Sequence, residues 1–334
     1  MKKFLITIFF MLLMTYDSNA DEIVRAYTTL EPPLAQSLFD EFEKDTGIKV
    51  LWERLSGGET IMKLIDESAD QKASIWVGGV GTQHIEAKLR ALSVPYKSSA
   101  AKNIPAHYRD RDNYWTGLYI APLSFCINKD LSKEFHLRTP RRWDELTLPQ
   151  YTGQIRAAHP YTSGTGYNML STIIRINNGD EDEAFNYFKR LSKSVDEFTR
   201  SGTAPSIACA SGDIPIAIGY LDTQIRLKRD GANIAIVIPE DGVGFETVSM
   251  SILKSTADLT NAYKLYDWIL GSKAADLISE WYVIPLSKFA HARETGFSLS
   301  NMNLLKQDDQ WDADNKIRLL RRWEREISPN PSKE

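Results

Sequence analysis

The residues best suited to chemistry are hydroxyls and glycines that stand where helices begin. Ser163-Gly164-Thr165-Gly166 lies between a strand-like run, Gly153 to Ala158, and a helical pattern with Met169, Leu170, Ile173 and Ile174 on its apolar side. The first turn of a helix carries backbone N–H groups without intrahelical partners and about half a positive charge, and glycine lets an anion approach the backbone. An oxyanion such as phosphate suits this loop. Ser, Thr and Gly also open many helices that bind nothing, as ordinary caps. Thr28-Thr29 and Ser56-Gly57-Gly58-Glu59 are weaker versions, and in the second Glu59 stands at the capping-box position and competes with any anion.

Other reactive residue types form no constellation. His84, His107, His159 and His291 are scattered, and no nucleophile with a base or carboxylate and histidine cluster has useful spacing, so no catalytic group, metal ligand or cofactor site is expected. Cys126 and Cys209 are too few for a structural zinc site; one sits in a strand pattern and one in a helix pattern, which favours buried thiols over a disulfide. Trp115, Trp268, Trp281, Trp311 and Trp323 read mostly as packing. Arg318, Arg321, Arg322 and Arg325 read as the solvated face of a helix that turns Ile317, Leu320, Trp323 and Ile327 inward.

The loops must be positioned by strands that alternate with helices. Ile23 to Tyr27 is a β-rich run, Pro32-Pro33 suits a first helical turn, and Leu34, Leu38, Phe39 and Phe42 make a stripe that ends near Gly47. Ile48 to Trp52, Ser74 to Val77, Ile214 to Tyr220 and Ile234 to Ile238 read as further strands, and Gly117 to Asn128 as a long apolar one. Gly78-Gly79-Val80-Gly81-Thr82 and Thr199-Arg200-Ser201-Gly202-Thr203 each lead into a helix. This grammar predicts an α/β protein with a mostly parallel sheet and a ligand crevice at the carboxyl ends of its strands.

Composition agrees. The chain of 334 residues is 43% apolar and 25% charged, which is globular, and a length of this order suggests two domains. A formal charge of -4 lacks the basic excess of a nucleic-acid binder. Lys2 and Lys3, the apolar run Phe4 to Met14, and Ser18-Asn19-Ala20 predict a signal peptide over residues 1–20, with release into a periplasm; no cysteine follows to carry a lipid.

Read in order, Tyr27 to Leu34, Asp112 to Gly117, the Ser163 to Gly166 loop, Ser201 to Pro205 and Pro239 to Glu246 resemble the solute-binding proteins of ABC importers, within their ferric-ion and hexose-phosphate group. The resemblance spans nearly all of residues 21 to 290. It implies a two-lobed type II periplasmic-binding-protein fold, each lobe a mixed, mostly parallel sheet flanked by helices, joined by two crossing strands near Leu118 to Ser124 and Phe245 to Ser251. Lobe 1 is then 21–121 with 248–334, and lobe 2 is 122–247.

The ferric branch would have adjacent tyrosines where this chain has Gly219-Tyr220-Leu221-Asp222, so Tyr220 reads as a strand-end aromatic and iron is disfavoured. The sugar-phosphate branch implies a ligand site of Thr28, Thr29, Ser56, Gly57, Thr82, Ser163, Gly164 and Thr165 around the phosphate, with Asp222 and Glu246 toward sugar hydroxyls or an ammonium, which donate hydrogen bonds. Asp222 stands where that branch has histidine. The expected partners are a small anionic solute, a phosphate ester or phosphonate, and an inner-membrane permease, with the protein a monomer. A periplasmic sensor of a two-component system, an aminoalkyl-phosphonate binder and a ferric-ion binder remain open alternatives.

Overall fold

In the computed structural model, residues 22–255, 257, 259–291 and 302–328 are described, so the signal-peptide expectation lies outside the described residues. The chain opens with β1 (Ile23–Thr28), α1 (Pro32–Thr46), β2 (Lys49–Arg54), α2 (Gly57–Asp66), β3 (Ile75–Val80), α3 (Gly81–Leu89) and the short β4 (Ser93–Val94). The local reasons match the residues. Prolines occupy the first turn of α1, and Gly47 closes it at φ 75°, a left-handed position that glycine takes without a steric penalty. Ser56 and Glu59 form both halves of the capping box on α2.

β5 (Thr116–Asn128) is the spine: all thirteen of its residues are buried. It is followed by α4 (Lys129–Glu134), β6 (Ile155–Ala158), α5 (Gly164–Ile176), α6 (Glu181–Leu191), β7 (Val195–Thr199), α7 (Ala204–Ser211), β8 (Ile216–Tyr220), α8 (Leu221–Arg229) and β9 (Ile234–Val237). β10 (Phe245–Leu253) then returns beside β5 and leads to α9 (Thr260–Ile269), α10 (Ser272–Ser279), β11 (Ile284–Pro285) and α11 (Asp309–Glu326).

The strands run in the order β2-β1-β3-β10-β5-β8-β6-β7. β1 pairs in parallel with β2 and β3, and β6 with β7 and β8. β5 and β10 are antiparallel, with Phe245 opposite Pro122 and Glu246 opposite Ala121. Beyond that stretch β5 continues from Leu123 to Asn128 against β8 and β9. One strand thus serves two sheet regions, each with its own core. Leu34, Phe39, Ile75, Met250, Tyr266 and Ile269 belong to the first core, and Leu123, Phe125, Trp143, Ile173 and Phe188 to the second.

Two packing expectations are revised, and a third, the buried thiols, is met. On α11, Leu320, Trp323 and Ile327 pack inward as expected, joined by Leu319, but Ile317 is 56% exposed, and the helix packs on the second core although the sequence places it after the return to the first. The arginine face is not simply solvated. Arg318 pairs with Glu181 at 2.7 Å and Arg322 with Asp182 at 2.6 Å, so the acidic first turn of α6 meets the basic face of α11. Cys126 and Cys209 are buried free thiols that touch each other, a proximity between strand and helix that spacing did not reveal.

Trp323 is fully enclosed, edge-on to Phe188, Phe198 and His159. Trp323→Ala should cost about 3–5 kcal/mol through lost burial and the cavity left behind. Ile317→Ala should change stability by no more than about 0.5 kcal/mol. Urea midpoints of the two variants check this; equal small effects would mean that α11 is not anchored by its tryptophan.

Candidate functional site

Parallel strands deliver the starts of several helices to the region where β5 and β10 cross. α3 begins directly after β3, α8 directly after β8, and α5 five residues after β6. The N-caps of α5, α7 and α8, namely Ser163, Thr203 and Tyr220, make no side-chain capping bond. Their first-turn N–H groups are therefore available to a ligand in a way that those of α2, whose cap is closed by Glu59, are not.

Glycines let these loops close on one another. A Cβ on Gly202 would fall 2.2 Å from Thr165 Oγ1 and 2.8 Å from Ser163 Oγ, and one on Gly164 would fall 2.9 Å from Glu246 Oε1. Ser163, Gly164, Thr165, Gly202 and Glu246 thus form one cluster. Thr82 joins it: Thr82 and Gly164 both line two narrow adjoining chambers, the second of which also reaches Gly58, Thr162, Ser163 and Lys316. Gly57 packs against Gln83 of α3, beside that second chamber.

The other sequence-derived residues divide. The Thr28 hydroxyl donates to Val77 O at 2.8 Å and accepts from Leu30 N, so it braces the strand end. Thr29 Oγ1 is buried against Gly78 and Gly79 and has no hydrogen-bond partner among the described residues. Ser56 is engaged in its capping box. Asp222 opens α8, and burial pushes its carboxyl up to about 6, aided by the nearby Glu31 charge.

Glu246 is the most perturbed acid of the cluster. It sits on β10, 7% exposed, and burial pushes its carboxyl up to about 8 with help from Asp309 and Asp222, while Tyr220 and Lys316 pull the other way. The Tyr220 hydroxyl approaches it without completing a hydrogen bond, and burial followed by the Glu246 charge raises that phenol well above its ordinary range. Tyr220 is therefore a member of the cluster and not merely a strand-end aromatic. Sequence reasoning also missed Gln307, just before α11, and Asp309, Asp312 and Lys316 within it, because nothing in their spacing ties them to Glu246. Among the described residues no group of three or more His, Cys, Asp and Glu is arranged to hold a metal ion.

The profile of the bacterial extracellular solute-binding protein family matches residues 84–304, and the chain belongs to that family. An uncharacterized protein of Haemophilus influenzae is 28% identical over 320 residues, covering 93% of this chain and 92% of its own. A putative 2-aminoethylphosphonate-binding periplasmic protein of Salmonella paratyphi A is 23% identical, covering 73% of this chain and 71% of its own. Among solved structures, the periplasmic binding protein AfuA of Actinobacillus pleuropneumoniae, with fructose-6-phosphate bound, matches with a TM-score of 0.88 at 27% identity, over 92% of this chain and 99% of that one. The fold is that of a type II periplasmic binding protein.

The raised Glu246 carboxyl has a consequence for the ligand-free protein. Its folded-state pKa lies above the unfolded value, so the folded state binds more protons and stability falls as pH rises toward about 8. Asp222 and Asp312, raised to about 6, contribute below that pH. Between pH 6.5 and 8 the wild type should lose stability by up to about 1.4 kcal/mol per pH unit, and Glu246→Gln should flatten that decline. Urea unfolding at the two pH values measures it; parallel declines in both proteins would contradict the burial of an ionisable Glu246.

Proposed function

We propose that this chain is the periplasmic receptor of an ABC importer, and that it captures a small phosphorylated solute, in the simplest case a sugar phosphate, for delivery to a permease in the inner membrane. The observation that carries the reading is the cluster in which the uncapped start of α5, with its Ser163 and Thr165 hydroxyls, faces Gly202 on one side and the buried Glu246 carboxylate on the other. Donors and acceptors are thereby separated within one site. Phosphate oxygens suit the N–H and hydroxyl donors of Ser163, Gly164 and Thr165, and sugar hydroxyls suit Glu246 and Asp222. Thr29 and Thr82 complete the donor side, Gly57 packs beside it against Gln83, Ser56 shapes it through its cap, and Thr28 stiffens the strand end behind it. The fructose-6-phosphate bound by AfuA at 27% identity supports the same ligand class.

In this reading residues 21–121 with 248 onward form one lobe and 122–247 the other, with β5 and β10 as hinge and α11 docked on the second lobe's core. The ligand stabilises the closed arrangement through contacts to both lobes. Glu246 and Asp222 also favour a second reading, a zwitterionic aminoalkyl phosphonate, as in the Salmonella relative's name.

Calorimetric titration with fructose 6-phosphate, glucose 6-phosphate, 2-aminoethylphosphonate and inorganic phosphate tests both. A sugar phosphate should bind at least about tenfold more tightly than inorganic phosphate, and Ser163→Ala with Thr165→Val should weaken it by about tenfold or more. Unchanged affinity in the double variant removes the loop from the site, and preference for the phosphonate selects the second reading. Small-angle scattering on saturation should give a smaller radius of gyration; superimposable profiles would argue against hinge closure.

A further inference from the structure

One of the two chambers is not explained by phosphate binding. It lies beneath the first turn of α11, where Glu246, Gln307, Asp309 and Asp312 line it. Asp312 is 1% exposed and Glu246 7%, so bulk water solvates neither. Arg175 Nη2 donates to Asp312 Oδ2 at 2.7 Å, and Gln307 Nε2 donates to Asp312 Oδ2 and Asp309 Oδ1, each at 3.1 Å. Three acceptor atoms remain. Glu246 Oε1, Asp312 Oδ1 and Gln307 Oε1 are buried with no hydrogen-bond partner among the described residues.

The charges are unequal too. With Glu246, Asp309 and Asp312 all ionised, three negative charges would face two cations, Arg175 and Lys316, and Lys316 is also engaged with Glu86 at 3.3 Å; in the empty site burial keeps Glu246 protonated instead. Buried acceptors without donors are costly, and a buried unpaired carboxylate more so. A primary ammonium supplies three N–H donors and a single positive charge, which matches both counts. Gly164 lines this chamber and also the neighbouring one, where Ser163 and Lys316 stand. Val80, Thr82 and Tyr167 also line both, so the acidic space and the anion loop share a wall.

We propose that the chamber beneath α11 is a subsite for a protonated primary amine, so that the solute carried by this protein bears an amino group as well as a phosphoryl group. The inference rests on the phosphorylated-solute reading and narrows it to amino-bearing members of that class, such as an amino sugar phosphate. Asp309 and Asp312 of α11 then act with Glu246 as specificity-determining residues.

The test compares glucosamine 6-phosphate, glucose 6-phosphate and glucosamine by calorimetry on the full-length mature protein. The amino ester should bind at least about tenfold more tightly than glucose 6-phosphate, and Glu246→Gln and Asp309→Asn should each shrink that advantage. A second measurement needs no variant. Around Glu246 stand Asp309 and Lys316 of α11, Asp222 of α8, Tyr220 of β8 and Tyr119 of β5, with Asp312 in the same chamber bridged to Arg175 of α5, and its carboxyl is protonated near pH 7 when no cation is bound. An arriving ammonium should expel that proton, so the apparent enthalpy at pH 7 should depend more steeply on the buffer's ionisation enthalpy for the amino ester than for glucose 6-phosphate; the phosphate group titrates at about pH 6 in both. Equal affinities with the same proton release for both esters would overturn the subsite and leave the phosphate reading standing. Binding of glucosamine with neither ester bound would keep the subsite and remove the phosphate reading. No binding of any of the three would overturn both.

Discussion

The organising constraint is a carboxylate held out of water. Glu246 sits near the start of β10, opposite Ala121 of β5 and two residues before the pairing with β3 begins at Val248, and it meets the backbone of Gly164 at the start of α5. A buried acceptor with nothing to accept from raises the free energy of the empty site by an amount that a donor-bearing ligand removes on arrival. The backbone around it is shaped to keep it there. Gly164 has no side chain to push the carboxylate aside, and the Val80 side chain closes off the neighbouring direction.

That constraint acts because the fold brings helix starts to the same place. In a parallel strand-loop-helix succession the carboxyl end of each strand becomes the amino end of the next helix, so partial positive charge gathers on one rim. β3 to α3, β6 to α5 and β8 to α8 all follow this rule. The antiparallel β10 is the exception, and it inserts an acidic group into a positive rim. The site is thereby polarised: donors on the loops, acceptors on β10 and on the first turns of α8 and α11.

α11 ties the arrangement together. Its Trp323 end is embedded in the second core, and its Asp309 end rests against Gly81 at the start of α3. Exposed pairs such as Arg318–Glu181 contribute about 1 kcal/mol or less each, so anchoring comes from apolar burial. The burial of Leu319, Leu320 and Trp323 sets the rotation of the helix about its axis, and the ion pairs form on the face left outside. That rotation is what presents Asp309 and Asp312 to the chamber, with the Arg175–Asp312 bridge at 2.7 Å fixing one of them.

Local signals were sufficient for elements and caps. Pro32-Pro33, Gly47, the Ser56/Glu59 box and the long apolar run through β5 each act over a few residues, and physics at that range is legible in order along the chain. The resemblance across residues 21 to 290 carried the fold class, and it pointed to Ser163, Gly164 and Glu246 together. What tertiary structure alone decided was contact between distant residues. Tyr220 beside Glu246, Cys126 beside Cys209, and Asp309 and Asp312 beneath β10 are pairings of this kind. The α11 face was misjudged for the same reason: Ile317 and Leu320 fit a helical stripe equally well, and only the position of the second core determines which turns inward. Periodicity states that a helix has an apolar side; the neighbour against which it packs decides which residues that side buries, and burial in turn sets which acids are kept from water.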